Sequence, residues 1–266
     1  MTRFAFLDAP TPIAFAHRGG AGGGIENSLA AFQHAVKLGY RYLETDVHAT
    51  RDGVLIAFHD RTLDRVTDRT GAVAELSFSE VCRARIAGRE PIPTLEDLLE
   101  ELPTARFNID VKVAAAIEPL ARVLRRMDAH ARVCVGAFSD RRLAAARRAL
   151  GPRVATSLGP HQVARLRALA GTGTLATRLS AAGTRGLQRY ACVQVPPAVR
   201  GVPILTPGFL TLAHRIGLQV HVWTIDDPAT MHQLLDLGVD GIMTDEIGTL
   251  RDVLSSRGAW PRSGQK

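Results

Sequence analysis

At 266 residues, 46% of them hydrophobic and 22% charged, the chain is long enough for one large α/β barrel or two ordinary domains and apolar enough to bury a sizeable core. No apolar run approaches the ~20 residues that span a bilayer, and Asp8, Pro10 and Pro12 interrupt any signal-peptide core, so a cytoplasmic protein without stable membrane insertion is expected. The net charge of +7 invites a nucleic-acid partner, but the cations are scattered arginines and only 5% of residues are aromatic, so stacking platforms are scarce and no nucleic-acid role is expected.

Ile13–His17 reads as a buried strand ending in His17-Arg18-Gly19-Gly20, followed by a glycine-rich loop to Gly24. Asn27 or Ser28 caps a helix that runs through Leu38 and stops at Gly39, with Leu29, Phe32, Ala35 and Val36 at helical spacing. Tyr42–Thr50 alternates, so as a strand it sends Glu44, Asp46 and His48 to one face. Arg51-Asp52-Gly53 is turn chemistry and Val54–Phe58 a β-branched and aromatic run. A connection this short excludes a parallel crossover, so the two runs form an antiparallel hairpin. Folding about Asp52 returns His59 to the level of Thr45, beside Glu44 and Asp46. Two carboxylates and an imidazole then share one small volume, a catalytic or metal-binding constellation; taken alone, such a hairpin could equally be a solvated turn.

A polar, irregular segment runs from about 60 to 93, and Thr94 with Asp97 caps a helix through Glu101. Phe107–Lys112 is the next strand, with Asn108, Asp110 and Lys112 on one face. A helix to about Met127, a strand Val133–Phe138, a helix from Ser139 to Gly151, a short strand Arg153–Ser157 and a helix His161–Ala170 follow. Gly171–Gly186 reads as a weakly structured loop. Ala191–Val195, Gln219–Thr224 and Gly241–Thr244 are strands, separated by helices opened by Thr206-Pro207 and Asp227-Pro228. A last amphipathic helix leads to a polar tail from about Ser255. Cys82, Cys134 and Cys192 lack metal or disulfide spacing and read as reduced core residues.

With the arm Val54–Phe58 set aside as the return leg of the hairpin, eight strands remain, each followed by a helix or a long connection. That alternation is the α/β class of the (β/α)8 TIM barrel, with a hairpin and short insertion after the second strand and no linker dividing residues 1–266. His17, Arg18, Glu44, Asp46, Asp110, Lys112 and Trp223 fall at or near the C-terminal ends of strands, where this architecture builds active sites.

The ordered set His17-Arg18-Gly19, Glu26-Asn27-Ser28, Glu44-Thr45-Asp46, His59-Asp60, Asn108-Ile109-Asp110-Val111-Lys112 and Val222-Trp223-Thr224 resembles the glycerophosphodiester phosphodiesterase family from about residue 13 to 247. The resemblance implies hydrolysis of a small phosphodiester to sn-glycerol 3-phosphate and an alcohol. It implies Glu44, Asp46 and Asp110 as ligands of a divalent cation, Mg²⁺ or Ca²⁺, for which hard oxygen donors are suited. It makes His17 and His59 the general base and general acid, and Arg18, Lys112 and Trp223 substrate contacts. Aspartate stands at position 110 where the family usually carries glutamate, and Ile25 where proline commonly precedes Glu-Asn. Asp110 and Lys112 can also be read as a structural ion pair, Glu26 and Asn27 as loop-shaping residues, and His48 as a neighbour supporting Asp46. His221 and Trp223 either pack the barrel or line a glycerol pocket, and Gln194 is a further polar candidate. His34, His130, His161, His214 and His232, on predicted helices, read as surface or packing residues. Two other functions stay open: a lysophospholipase D, which would show a long apolar groove beside the mouth, and a phosphate-binding barrel without turnover. Oligomeric state is not legible.

Overall fold

Thirteen strands occur among residues 3–21, 24–171 and 183–261, which the computed structural model describes. They are β1 Ile13–Ala16, β2 Tyr42–Ala49, β3 Leu55–Ala57, β4 Arg85–Ile86, β5 Glu90–Pro91, β6 Arg106–Val111, β7 Val133–Gly136, β8 Ala155–Thr156, β9 Cys192–Val195, β10 Ala198–Val199, β11 Val202–Pro203, β12 Gln219–Val222 and β13 Gly241–Thr244. Eight of them run parallel in the order β8-β7-β6-β2-β1-β13-β12-β9. A parallel bridge between Ser157 and Cys192 joins β8 to β9, so the order around the barrel is the order along the chain. This is the expected (β/α)8 barrel, nearly closed. The polar-capped helices lie where the sequence puts them: Ser28, Thr94, Ser139, Thr206 and Asp227 each accept a backbone N–H from the first turn of the following helix.

The hairpin forms in the expected register. Val47 pairs with Ala57, His48 with Ile56 and Ala49 with Leu55, and the Phe58 N–H donates to Asp46 O at 2.9 Å. Because side chains alternate along β2, Leu43 and Val47 enter the layer under the helices, whereas Glu44, Asp46 and His48 take the opposite face. The floor of the barrel is closed by the N-terminal segment. Phe4, Phe6 and Leu7 pack with Phe15, Tyr42 and Met243, and Tyr42 Oη and Arg106 both donate to Phe6 O.

Three expectations need correction. The segment 60–93 is not merely polar and irregular: Leu63, Val73, Val81, Ala84, Ile86 and Ile92 enclose a small core of their own with Ile56 and Phe58. The apolar residues there are spaced by turns, a short helix Phe78–Val81 and the β4–β5 pair, so no single period reveals them. Cys134 and Cys192 are buried free thiols, but Cys82 is exposed because it caps that helix one residue past the buried Val81. Strand β7 stops at Gly136, and Phe138 is 65% exposed rather than part of the strand. The expected loop Gly171–Gly186 falls largely, and the end of the tail wholly, outside the described residues. His34 and His161 are exposed, and His214 bonds Asp240, all outside the barrel mouth.

His221 lies fully buried inside the barrel, its ring 4.8 Å from that of Phe15 and its Nε2 3.1 Å from Gln219 Oε1. It packs the interior of the barrel. Burial pushes its pKa down to about 3. The folded state therefore keeps it neutral while the unfolded chain takes up a proton below the usual 6.5, so stability falls as pH drops from 6.5 toward 3. Replacing His221 with Asn is expected to flatten the loss of melting temperature over the upper part of that window, as followed by circular dichroism. An unchanged slope would show that the buried imidazole contributes nothing to acid sensitivity.

Candidate active site

Strand register builds the acidic centre. In the parallel pair β2–β6, Glu44 lies beside Asn108 and Asp46 beside Asp110, so two carboxylates share a level on neighbouring strands, with a third one residue pair below. All three are buried. Lys112 answers the crowding, its Nζ lying 2.7 Å from Asp46 Oδ1 and 2.8 Å from Asp110 Oδ2. Burial acts against the Asp46 carboxylate, but Lys112 and Arg18 outweigh it and hold its pKa below the ordinary range. Asp110, for which burial and Asp46 outweigh Lys112, is shifted up. Glu44 is pushed up to about 7 by burial and then by the Asp46 charge.

The loop after β1 supplies the next tier. Arg18 has φ +52°, a left-handed conformation uncommon for a residue with a side chain. It is held there by its N–H donating to Glu44 Oε2 at 3.1 Å and by Arg18 O accepting from the Asn27 N–H at 2.8 Å. Gly19, at φ +86°, leaves no room for a side chain: a Cβ would stand 2.8 Å from that of Ala31. Arg18 Nε then lies 3.3 Å from Asp46 Oδ2, and Nη1 donates to Glu26 Oε1 at 3.0 Å. Asn27 donates to Asp46 Oδ2 at 3.1 Å and accepts from Thr45 Oγ1 at 2.7 Å. Glu26 and Asn27 are thus loop-shaping residues that also reach the acidic centre, and Ser28 is the helix cap.

Each of the two expected histidines carries a carboxylate on Nδ1. His17 Nδ1 is 2.7 Å from Asp245 Oδ1, and its Nε2 faces Glu44 Oε2 at 3.7 Å. Burial pulls the His17 pKa down, but Glu44 and Asp245 more than offset it and leave the imidazole above its usual 6.5. His59 Nδ1 is 2.6 Å from Asp60 Oδ1. His48 Nε2 meets the His59 carbonyl at 3.1 Å. A cavity of about 450 Å³ opens between His48, His59, Asp60, Asp110, Lys112 and Phe138, with Arg61 and Arg142 at its wall. Trp223 is half-buried and meets Phe138 edge-on at 5.5 Å, making one aromatic side of the mouth with Lys112 over the Phe138 ring at 5.8 Å. Gln194 is engaged inside the barrel, donating to Asn108 Oδ1 at 2.8 Å.

Sequence reading missed Asp245, Arg65, Phe138, Arg61 and Arg142. Asp245 follows the final strand and sits in the rim position that the barrel reserves for chemistry, so it was within reach of the same argument. The others depend on how the insertion and the β7 loop fold back over the mouth.

The donor chemistry fits a hard divalent cation. The carboxylates are buried, Asp110 Oδ1 accepts no hydrogen bond, and burial together with the neighbouring Asp46 charge raises the Glu44 pKa. Among the described residues no three such side chains are arranged to enclose a cation, and Lys112 bridges Asp46 and Asp110 instead.

Residues 17–249 match the Glycerophosphoryl diester phosphodiesterase family. A Mycobacterium tuberculosis protein named "Probable glycerophosphodiester phosphodiesterase 2" is 48% identical over 264 residues, spanning 96% of this chain and 95% of that one. Among solved structures, a putative glycerophosphoryl diester phosphodiesterase from Silicibacter pomeroyi superposes with a TM-score of 0.78 at 23% identity, covering 97% of this chain and all of that one. A phosphodiesterase from Oleispira antarctica, solved with the product sn-glycerol-3-phosphate, has a TM-score of 0.73 at 21% identity, covering 92% of this chain and 97% of that one.

Replacing Lys112 with Met leaves Asp46 and Asp110 side by side and largely unneutralised in a buried site. Without added divalent ion, urea denaturation is expected to show a loss of ~3 kcal/mol, the scale for removing one partner of a buried ion pair. A change below ~0.5 kcal/mol would mean that solvent screens the pair like an ordinary surface bridge.

Proposed function

This chain belongs to the Glycerophosphoryl diester phosphodiesterase family and is a phosphodiesterase, and from that premise we propose that it cleaves glycerophosphodiesters to sn-glycerol 3-phosphate and an alcohol, using a divalent cation and the pair His17 and His59. The observation that carries the reading is the matched pair of imidazole–carboxylate couples, His17–Asp245 and His59–Asp60, on a rim that also bears Arg18, Lys112 and three buried carboxylates. A carboxylate on Nδ1 fixes the ring and leaves Nε2 for proton transfer. Product-bound crystals of the Oleispira antarctica phosphodiesterase support the substrate class.

In this reading Arg18 grips two phosphoryl oxygens with its planar fork, and Lys112 adds a point charge. His17 Nε2 takes the proton of the glycerol 2-hydroxyl as that oxygen bonds to phosphorus; the basicity lent by Glu44 and Asp245 suits it to the task. The bond to the alcohol breaks, and His59 Nε2 delivers its proton to the departing oxygen. Water then opens the cyclic phosphate with the two imidazoles exchanging roles, giving sn-glycerol 3-phosphate. A Mg²⁺ or Ca²⁺ ion, held by Glu44, Asp46 and Asp110, would supply Lewis-acid stabilisation of the phosphoryl charge. Asp110 reaches less far than a glutamate, yet keeps the oxygen donor.

Trp223 with Phe138 forms the apolar side against which the glycerol or alcohol carbons rest. A lysophospholipase D would call for a long apolar groove, whereas charged and imidazole side chains line this cavity with Phe138, which favours a small polar alcohol. No helix among the described residues is long and apolar enough to cross a membrane; a cytoplasmic location is part of the proposal.

Assay with glycerophosphocholine tests this directly. Turnover is expected to vanish with EDTA and return with Mg²⁺ or Ca²⁺, and His17→Ala or His59→Ala is expected to lower kcat by roughly 10²–10⁴-fold, the usual range for a positioned proton-transfer group. Full activity in EDTA would remove the metal from the account, and a folded His59→Ala enzyme of normal rate would remove the histidine pair.

A further inference from the structure

Arg65 belongs to the insertion, well outside the residues that sequence reading assigned to the site, yet it spans two of the site's loops. Its Nε donates to Asp60 Oδ2 at 2.5 Å. Its two terminal nitrogens grip Glu26 end-on, Nη1 to Oε2 at 3.0 Å and Nη2 to Oε1 at 2.7 Å. Asp60 therefore spends one oxygen on Arg65 and the other on His59 Nδ1, and its carboxylate cannot rotate without breaking a charge-assisted bond. Glu26, only 9% exposed, holds Arg18 through Oε1 as well. The result is one continuous chain, His59–Asp60–Arg65–Glu26–Arg18, running from the expected leaving-group acid to the expected phosphate clamp. A half-exposed arginine on a surface insertion commonly contributes little to stability. A bidentate grip on a buried carboxylate, combined with a second carboxylate already committed to a histidine, is a different arrangement. Such geometry sets where Nε2 of His59 points.

We propose that Arg65 is a positioning residue for the phosphodiesterase reaction: braced on Glu26, it locks Asp60 and so aims His59 at the oxygen of the departing alcohol. The inference rests on the reading of His59 as general acid. In the step concerned, the phosphorus–oxygen bond to the alcohol breaks and the proton on His59 Nε2 passes to that oxygen. An ester of p-nitrophenol leaves as the stable phenolate and needs no such proton, which separates aim from general damage to the fold.

The test compares glycerophosphocholine with the p-nitrophenyl ester of glycerol phosphate on the full chain carrying Arg65→Met, Arg65→Lys or His59→Ala, reading the alcohol-releasing step alone in single turnovers at varied enzyme concentration, before water opens the cyclic phosphate, with folding checked by melting temperature. Arg65→Met is expected to slow alcohol release from glycerophosphocholine about 30-fold, within the range that a misplaced catalytic group costs, and from the p-nitrophenyl ester less than about threefold, with the half-saturating concentration little changed on either. Arg65→Lys, which can touch Asp60 or Glu26 but cannot fork between them, should fall between Met and wild type, and serves as the test variant should the Met form not fold. Equal losses on both esters in the arginine variants, with His59→Ala selective for glycerophosphocholine, would overturn the proposal while sparing His59 as the acid. Equal losses in His59→Ala itself would sink the general-acid reading, and the proposal with it.

Discussion

Carboxylates placed at one level on adjacent strands must be compensated, and the rest of this site is organised around that demand. The β2–β6 register sets Asp46 beside Asp110 and puts Glu44 two residues back on the same face, all three buried. In so low a dielectric three negative charges cannot stand together unaided. Lys112 bridges Asp46 and Asp110, Arg18 and Asn27 also reach Asp46, and Glu44 yields by binding its proton more tightly. The left-handed turn at Arg18, the glycine after it and the cap at Ser28 are the local structure that brings those groups to the carboxylates.

Each of the two imidazoles is held by a carboxylate of its own. His17 is oriented by Asp245 on the rim of the last strand, and His59 by Asp60 at the end of the hairpin. Their supports are of different kinds. Asp245 is fixed within the barrel, its N–H donating to Asp226, whereas Asp60 is fixed by an arginine from the insertion. The insertion is thereby more than a connection: its small apolar core, closed around Ile56 and Phe58, anchors the hairpin arm that delivers His59. Packing far from the acidic centre and the placement of His59 beside it are linked through one short strand.

Much of this was legible in the residues. Period-two alternation placed Glu44, Asp46 and His48 on one face, and the turn at Asp52-Gly53 set a register that returned His59 to the level of Thr45, as the pairing of Val47 with Ala57 requires. Strand counting gave the barrel, because eight short apolar runs punctuated by caps and glycines admit few other architectures. What escaped depends on long-range closure. His17 and Asp245 lie 228 positions apart, and nothing local to Asp245 names its partner. Arg65 sits in a segment without a single period, so its reach to Glu26 could not be read from spacing. Cys82 looked like its two buried counterparts because composition says nothing about which side of a four-residue helix meets solvent. His221 and Trp223, on one strand face, could not be told apart until the barrel showed one in its interior and the other at its mouth.

The central claim is that one pocket combines the buried carboxylates, the Arg18–Lys112 pair and both imidazoles around a single phosphoryl group. A crystal structure with sn-glycerol 3-phosphate and Mg²⁺ or Ca²⁺ tests it most directly. The account predicts the cation on Glu44, Asp46 and Asp110, the phosphate against Arg18 and Lys112, and Nε2 of His17 and His59 on opposite sides of the phosphorus. Phosphate bound away from these residues, or a cation that ignores all three carboxylates, would contradict it.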